Sequence, residues 1–250
     1  MNAVNLNEMT AGNMLIDHDY LVTLGNLNIE FILRGQEWQL AYSHQSLDND
    51  NQVNNKPANR YRLIVNSENP SLELRLRLAN RPIVSRPQEK LFLAPNAKTK
   101  LFLTTALWLS VCQGTQTLLE LPSQILSDIW FGPNTRQGEL AYSNNIAVML
   151  NPPNAASRAG KALTELTITN SSAEQLSLEK INLPIPELKL YRSQDGFCSD
   201  KVDIVVDQAH EAHLNIKPNS DTDNAIELLS QARKAVSRSA LTRAVDVLFA

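Results

Sequence analysis

Between Leu121 and Ser143 the chain reads LPSQILSDIWFGPNTRQGELAYS, and here the side chains able to do chemistry are densest. Asp128 and Glu139 are two carboxylates that a loop could bring together. Paired carboxylates divide acid and base roles when their surroundings split their pKa values, as in a carbohydrate- or nucleotide-type hydrolase. Trp130 and Tyr142 offer flat faces on which a sugar or base can stack. Arg136 carries a planar fork that meets a carboxylate or phosphate with two parallel hydrogen bonds, and Asn134 adds an amide. Three readings follow. A ligand-binding surface would use Trp130, Asn134, Arg136 and Glu139. A hydrolase would use Asp128 and Glu139 as its catalytic pair. A purely structural stretch would bury Trp130 and Phe131 and spend Asp128, Asn134 and Arg136 on the backbone of an irregular turn. Gly132, Pro133 and Gly138 imply a shaped loop between strands, because glycine is used where the backbone turns sharply or approaches something closely.

Other constellations fall short of their chemistry. His210-Glu211-Ala212-His213 spaces its histidines at i and i+3, whereas a zinc-protease helix needs i and i+4. His18 lies between Asp17 and Asp19 with no partner cluster in view. Asp48-Asn49-Asp50-Asn51-Gln52-Val53 begins like a calcium loop but lacks the glycine at its sixth position and the closing Glu, where Asn59 stands. No phosphate-binding glycine loop and no nucleophile elbow can be written. The sequence therefore calls for no metal and no cofactor, and it leans away from an enzyme towards ligand or protein binding and assembly.

Composition narrows the classes further. The 250 residues are 43% hydrophobic, enough for a sizeable core in one or two domains. A formal net charge of −3 and a pI of about 5.8 argue against general nucleic-acid binding. No apolar run approaches the roughly 18 residues of a membrane span. The first basic residue is Arg34, so the N-terminus lacks the charged region of a signal peptide. These features predict a cytoplasmic protein in which Cys112 and Cys198 are reduced, buried thiols.

The elements that position these groups read mostly as β. Ile29–Arg34 and Glu37–Tyr42 form a hairpin about Gly35-Gln36. Leu72–Leu78 alternates leucine strictly with charge, a strand with one buried and one wet face. Its outward arginines, Arg75 and Arg77, with Arg81 and Arg86 following, read as a solvated row or as a surface for an anion or an acidic partner. Tyr61–Val65 is expected to pair with this strand. The proline-rich Arg81–Pro95 is expected at an edge. Strands over 99–104, 107–112 and 115–121 precede the central stretch. Asn151-Pro152-Pro153-Asn154 is the best linker. Beyond it, Leu163–Thr169 and Gln175–Ile181 flank Asn170-Ser171-Ser172 as a second hairpin. After Pro218 the spacing changes. Ala225, Leu228, Leu229, Ala232, Val236, Leu241, Ala244, Val245 and Leu248 recur at helical intervals. The expected architecture is an antiparallel β-sandwich in two lobes, 1–150 and 151–218, followed by a C-terminal α-helix over 219–250. That helix would pack on its own sheet or dock a protein partner or a second copy.

Ser127-Asp128-Ile129-Trp130-Phe131-Gly132-Pro133 and Gly138-Glu139-Leu140-Ala141-Tyr142 also carry a family resemblance. With Arg81–Pro87 and Thr105-Ala106-Leu107-Trp108, they resemble the signature of an uncharacterised prokaryotic family catalogued as domain of unknown function 432. The resemblance is strongest over residues 60–145. The chain departs from the family pattern at Ala106, where Pro is common, and at Ala141, where Cys is common. The resemblance implies no defined activity. Its one implied partner is a small mechanosensitive channel.

Overall fold

A computed structural model describes residues 1–47, 53–55, 59–65, 70–87, 89–132, 138–207, 212–219, 227–236 and 245–249. The chain is mostly β, with 64% in strands and 5% in short 3-10 turns. It divides into two compact units that do not follow sequence order. Unit 1 holds residues 1–77, 106–125 and 159–161, and unit 2 holds 78–105, 126–158 and 162–250.

Unit 1 contains two sheets. In the first, β1 (Asn2–Asn5) lies parallel to β3 (Tyr20–Leu24). The sheet continues through β4 (Leu27–Arg34) and β5 (Glu37–Leu47), and β5 also pairs with β6 (Val53–Asn55) and β7 (Asn59–Ile64). The β4–β5 hairpin closes with Arg34 opposite Glu37, and Gly35 takes a φ of 63°. The second sheet runs β13 (Gln116–Pro122), β12 (Trp108–Gln113), β8 (Leu72–Arg77) and β2 (Asn13–Ile16). Leu72, Leu74 and Leu76 are fully buried, as their alternation requires. Arg75 pairs with Glu73 on the wet side, and that guanidinium holds the Glu73 carboxyl below its ordinary value. The strand over 59–64 pairs with β5 and not with β8, whose neighbours are β12 and β2. Trp38 stands on β5 opposite Leu63 of β7. It is fully buried, packs edge-on against Phe31 and donates its Nε1 hydrogen to the Pro70 carbonyl at 2.6 Å.

Unit 2 also contains two sheets. One runs β10 (Leu91–Leu93), β17 (Leu176–Leu183), β9 (Ile83–Pro87), β15 (Glu139–Val148) and β14 (Ser127–Phe131), with β23 (Val245–Phe249) also on β17. The other runs β21 (Ala212–Lys217), β20 (Lys201–Val206), β16 (Lys161–Asn170), β19 (Gly196–Ser199), β18 (Leu190–Ser193) and β22 (Glu227–Ser230), with β11 (Lys98–Ala106) on β16. β9 is an interior strand, parallel to β15 and antiparallel to β17, and its Ile83, Val84 and Ser85 are buried. Its prolines stand just before and at the end of the strand, where the missing N–H does no harm.

Three expectations are corrected here. The sheets are mixed and not purely antiparallel, because β1–β3, β9–β15 and β16–β20 are parallel pairs. The second hairpin does not form, because β16 and β17 belong to different sheets. The C-terminal α-helix is absent: among the described residues of 219–250 there are two strands, β22 and β23. Leu228 is 42% exposed and its neighbour Leu229 only 8%, the alternation of a strand face. β23 holds Val245, Val247 and Phe249, and β-branched and aromatic residues suit a pleated surface better than a helix. The helix-mediated docking of a partner or second copy falls with it. Ala155–Arg158 forms a 3-10 turn, Arg158 is buried, and 159–161 belong to unit 1. Cys112 and Cys198 are both buried, as expected.

Candidate functional site

The central stretch is a β-hairpin in unit 2. β14 and β15 pair antiparallel with Asp128 opposite Tyr142, Trp130 opposite Leu140 and Phe131 opposite Glu139. Directly opposed residues share a face, and neighbours along a strand alternate. One face therefore carries Asp128, Trp130, Leu140 and Tyr142. The other carries Ile129, Phe131, Glu139 and Ala141.

The second face is the inner one. Phe131 and Ala141 pack with Val84, and Ile129 closes against them. Glu139 is half-buried on this side, where its Oε1 accepts a hydrogen bond from Asn182 Nδ2 at 2.9 Å. The outer face is wet and aromatic. Trp130 is 46% and Leu140 42% exposed. A methyl group at Gly138 would stand 2.3 Å from Trp130 Nε1 and 2.7 Å from the Phe131 carbonyl oxygen. The indole therefore lies across Gly138, and the glycine is required there for space and not for a left-handed turn.

Beside Trp130 and Leu140 is a charged cluster set by the parallel pairing of β9 and β15. Tyr142 N–H donates to the Pro82 carbonyl at 2.8 Å, which brings residues 80 and 81 alongside. Arg81 Nη1 meets Asp128 Oδ1 at 3.0 Å, and the same guanidinium lies over the Tyr142 ring at 5.2 Å. The Tyr142 hydroxyl donates to Asn80 Oδ1 at 2.9 Å. Ion pair, cation–π contact and hydrogen bond thus converge on one outward patch.

The structure brings together Asp128, Trp130 and Tyr142 and separates them from Glu139. Asn134 and Arg136 fall in 133–137, outside the described residues. Phe131 fills the core and Trp130 does not. Arg81 belongs to the cluster, although the sequence places it only after a row of arginines and in the segment Arg81–Pro87 that shares the family resemblance. Asn80 carries no sequence signal at all. Of the other histidine motifs, His18 contacts Asp17 and Asn2 at an exposed turn, and His213 pairs with Asp207 at 2.9 Å. His210, Glu211 and Asp48–Gln52 lie outside the described residues. Among the described residues, no group of three His, Cys, Asp or Glu side chains is placed to hold a metal ion. None of them forms a helix long and apolar enough to cross a membrane.

Sheet arrangement and hairpin surface define a β protein whose polar and aromatic groups are displayed on strands. The chain belongs to the family described as protein of unknown function DUF432, whose pattern matches residues 12–249, nearly the whole chain. No curated protein and no solved structure matches it.

Proposed function

We propose that the protein works by binding another protein through the outer face of the β14–β15 hairpin, and not by carboxylate hydrolysis. The observation that carries this reading is the register of the hairpin. It puts Asp128 and Glu139 on opposite faces, which speaks against a reacting group held between them as acid–base catalysis requires. The outer face instead combines exposed Trp130 and Leu140 with Arg81 and Tyr142, and aromatic residues and arginine are the types enriched in interface hot spots.

The test is photo-crosslinking in the source cells, with a photoreactive side chain at position 140. A discrete adduct is expected, lost on Trp130→Ala and weakened on Arg81→Ala. Trp130→Ala should cost only about 1 kcal/mol of stability, the scale of one cross-strand pair. No adduct, or one indifferent to both substitutions, would reject the binding face. A turnover found by broad substrate screening and abolished by Asp128→Asn and by Glu139→Gln, with folding intact, would establish the hydrolase instead.

A further inference from the structure

We propose that Arg158 anchors a binding site for a small organic anion, in a cavity of unit 2 that is separate from the hairpin face. The cavity has a volume of about 460 Å³, within the range of small-ligand sites. Phe102, Pro153 and Leu163 give it apolar walls, and Arg158, Ser193 and Asn219 supply polar ones.

Arg158 is the unusual member. It is only 9% exposed, and arginine is rarely buried unless it is paired. Its Nη2 donates to the Asp195 carbonyl at 2.5 Å. Its Nε is buried without a hydrogen-bond partner, and among the described residues no carboxylate pairs with it. A guanidinium offers five N–H donors in a fixed fork. One carbonyl leaves most of them unused. Burial pushes the group below the ordinary arginine value, only partly offset by the nearby Asp195 carboxylate. Glu165, an acidic side chain of the lining, is engaged by Lys100 at 2.8 Å and lies 3.8 Å from Lys201.

Asn219 supplies the second half of the specificity. Its Nδ2 donates to the Ser199 carbonyl at 3.1 Å, while its Oδ1 is buried with no partner. A buried donor fork and a buried acceptor therefore wait in one cavity. The complementary ligand presents an anionic oxygen group to Arg158 and a hydroxyl or ammonium group to Asn219. Its carbon skeleton lies against Phe102 and Leu163. A phosphate or a carboxylate meets the first requirement equally.

The competing role for Arg158 is a latch that holds the 193–196 turn through Asp195. A latch predicts no ligand response. The experiment is thermal unfolding of the full chain with inorganic phosphate and, separately, with malate, each against sodium chloride at equal ionic strength. A saturable rise in Tm beyond chloride is expected. A response to phosphate alone assigns a phosphate group, and a response to malate alone assigns a hydroxycarboxylate. Responses to both assign the shared anion chemistry. Asn219→Asp, nearly isosteric, puts a negative charge in the cavity without touching Arg158, and should weaken the apparent affinity at least about tenfold. Arg158→Lys should abolish the response, and Arg62→Ala, an exposed partner of Glu37 in unit 1, should leave it unchanged. Should Arg158→Lys not fold, Asn219→Asp decides alone. No saturable response in the unaltered chain, or one undiminished by Asn219→Asp, overturns the proposal.

Discussion

The Tyr191 hydroxyl donates to Asp200 Oδ1 at 2.7 Å, and both residues are buried. The other carboxylate oxygen accepts from the Lys189 backbone N–H at 2.8 Å. Burial, and then this hydrogen bond, push the Tyr191 phenol above its ordinary value. Its proton is thus held more tightly in the folded chain than in the unfolded one. Above about pH 10, where an unfolded tyrosine ionises, the unfolded state binds fewer protons. Stability must then fall as pH rises, while below that pH the contribution is fully present. Tyr191→Phe should cost about 1.5–3 kcal/mol at neutral pH, since a hydrogen bond to a charged group is lost. It should also flatten the alkaline limb of a stability–pH curve measured by urea unfolding. Tyr42, whose phenol is raised by burial and by Tyr61, keeps part of that limb. An unchanged limb in Tyr191→Phe would mean that the phenol does not couple to folding. Gly160 makes a second prediction at this scale. Its φ is 68°, and an added methyl would stand 2.7 Å from Gly25 Cα and 2.9 Å from Gly25 N. Asn7 Oδ1 accepts from both glycine N–H groups, at 2.6 Å from Gly160 and 3.1 Å from Gly25, so the two backbones are tied. Gly160→Ala should cost about 2–5 kcal/mol, combining left-handed strain and overpacking that backbone atoms cannot relieve. Equilibrium unfolding of the variant measures it.

Single elements were readable wherever period-2 patterning was strong, as in the leucine–charge alternation of β8 and the Gly35 hairpin of β4 and β5. Which strands would pair was not readable where side chains far apart in sequence decide it. Asn170 shows why. Asn170-Ser171-Ser172 has the composition of a hairpin turn, yet it is the corner where the chain leaves one sheet of unit 2 for the other. Asn170 is fully buried. Its Nδ2 donates to the carbonyls of Leu93, Ala94 and Glu174 at 3.0, 3.1 and 2.8 Å, and its Oδ1 accepts from Ser172 N–H and Oγ. Two of those partners lie more than 75 residues away, beyond any local pattern. The site shows the same division. Trp130 and Phe131 are both aromatic, and only the hairpin register decides that Phe131 turns inward. Arg81 reaches Asp128 through the parallel β9–β15 pairing, which nothing local encodes. The C-terminal strands were missed because leucine and alanine suit helices, while alternating burial depends on the neighbouring strand. Asn170→Ala should therefore cost about 3 kcal/mol, because several buried groups lose their partner together. Asn170→Asp should cost more, since it turns a carboxylate towards three carbonyl oxygens. Urea unfolding of both variants checks the order, and Asp proving milder than Ala would contradict this account of the corner.

At the scale of the whole chain, the polypeptide passes between its two units five times, at 77/78, 105/106, 125/126, 158/159 and 161/162. Strands far apart in sequence lie side by side, as β9 does with β15 and β17. Loop closure must precede the reward of such pairings, so folding should be slow for the chain length. The same interleaving makes the molecule hard to divide. A fragment of residues 1–150 keeps β10, which pairs with β17, and β11, which pairs with β16. It also leaves β9 with β15 on one side and a bare row of backbone groups on the other. Unit 1 suffers as well, although nearly all of its residues are present. The Gly160 carbonyl accepts from Leu107 N–H at 2.9 Å and from Ser123 Oγ at 2.6 Å, and both groups would lose it. We therefore expect the 1–150 fragment to lack cooperative unfolding and to aggregate through its uncovered strand edges. The full chain should unfold cooperatively, with a β-type far-ultraviolet circular dichroism spectrum. Amide NMR spectra of the two decide the matter. Wide dispersion in the fragment, matching the full-chain signals of both β4–β5 and β9–β15, would show that the first 150 residues carry a complete folding unit, and that the strands from β16 onward are dispensable to it.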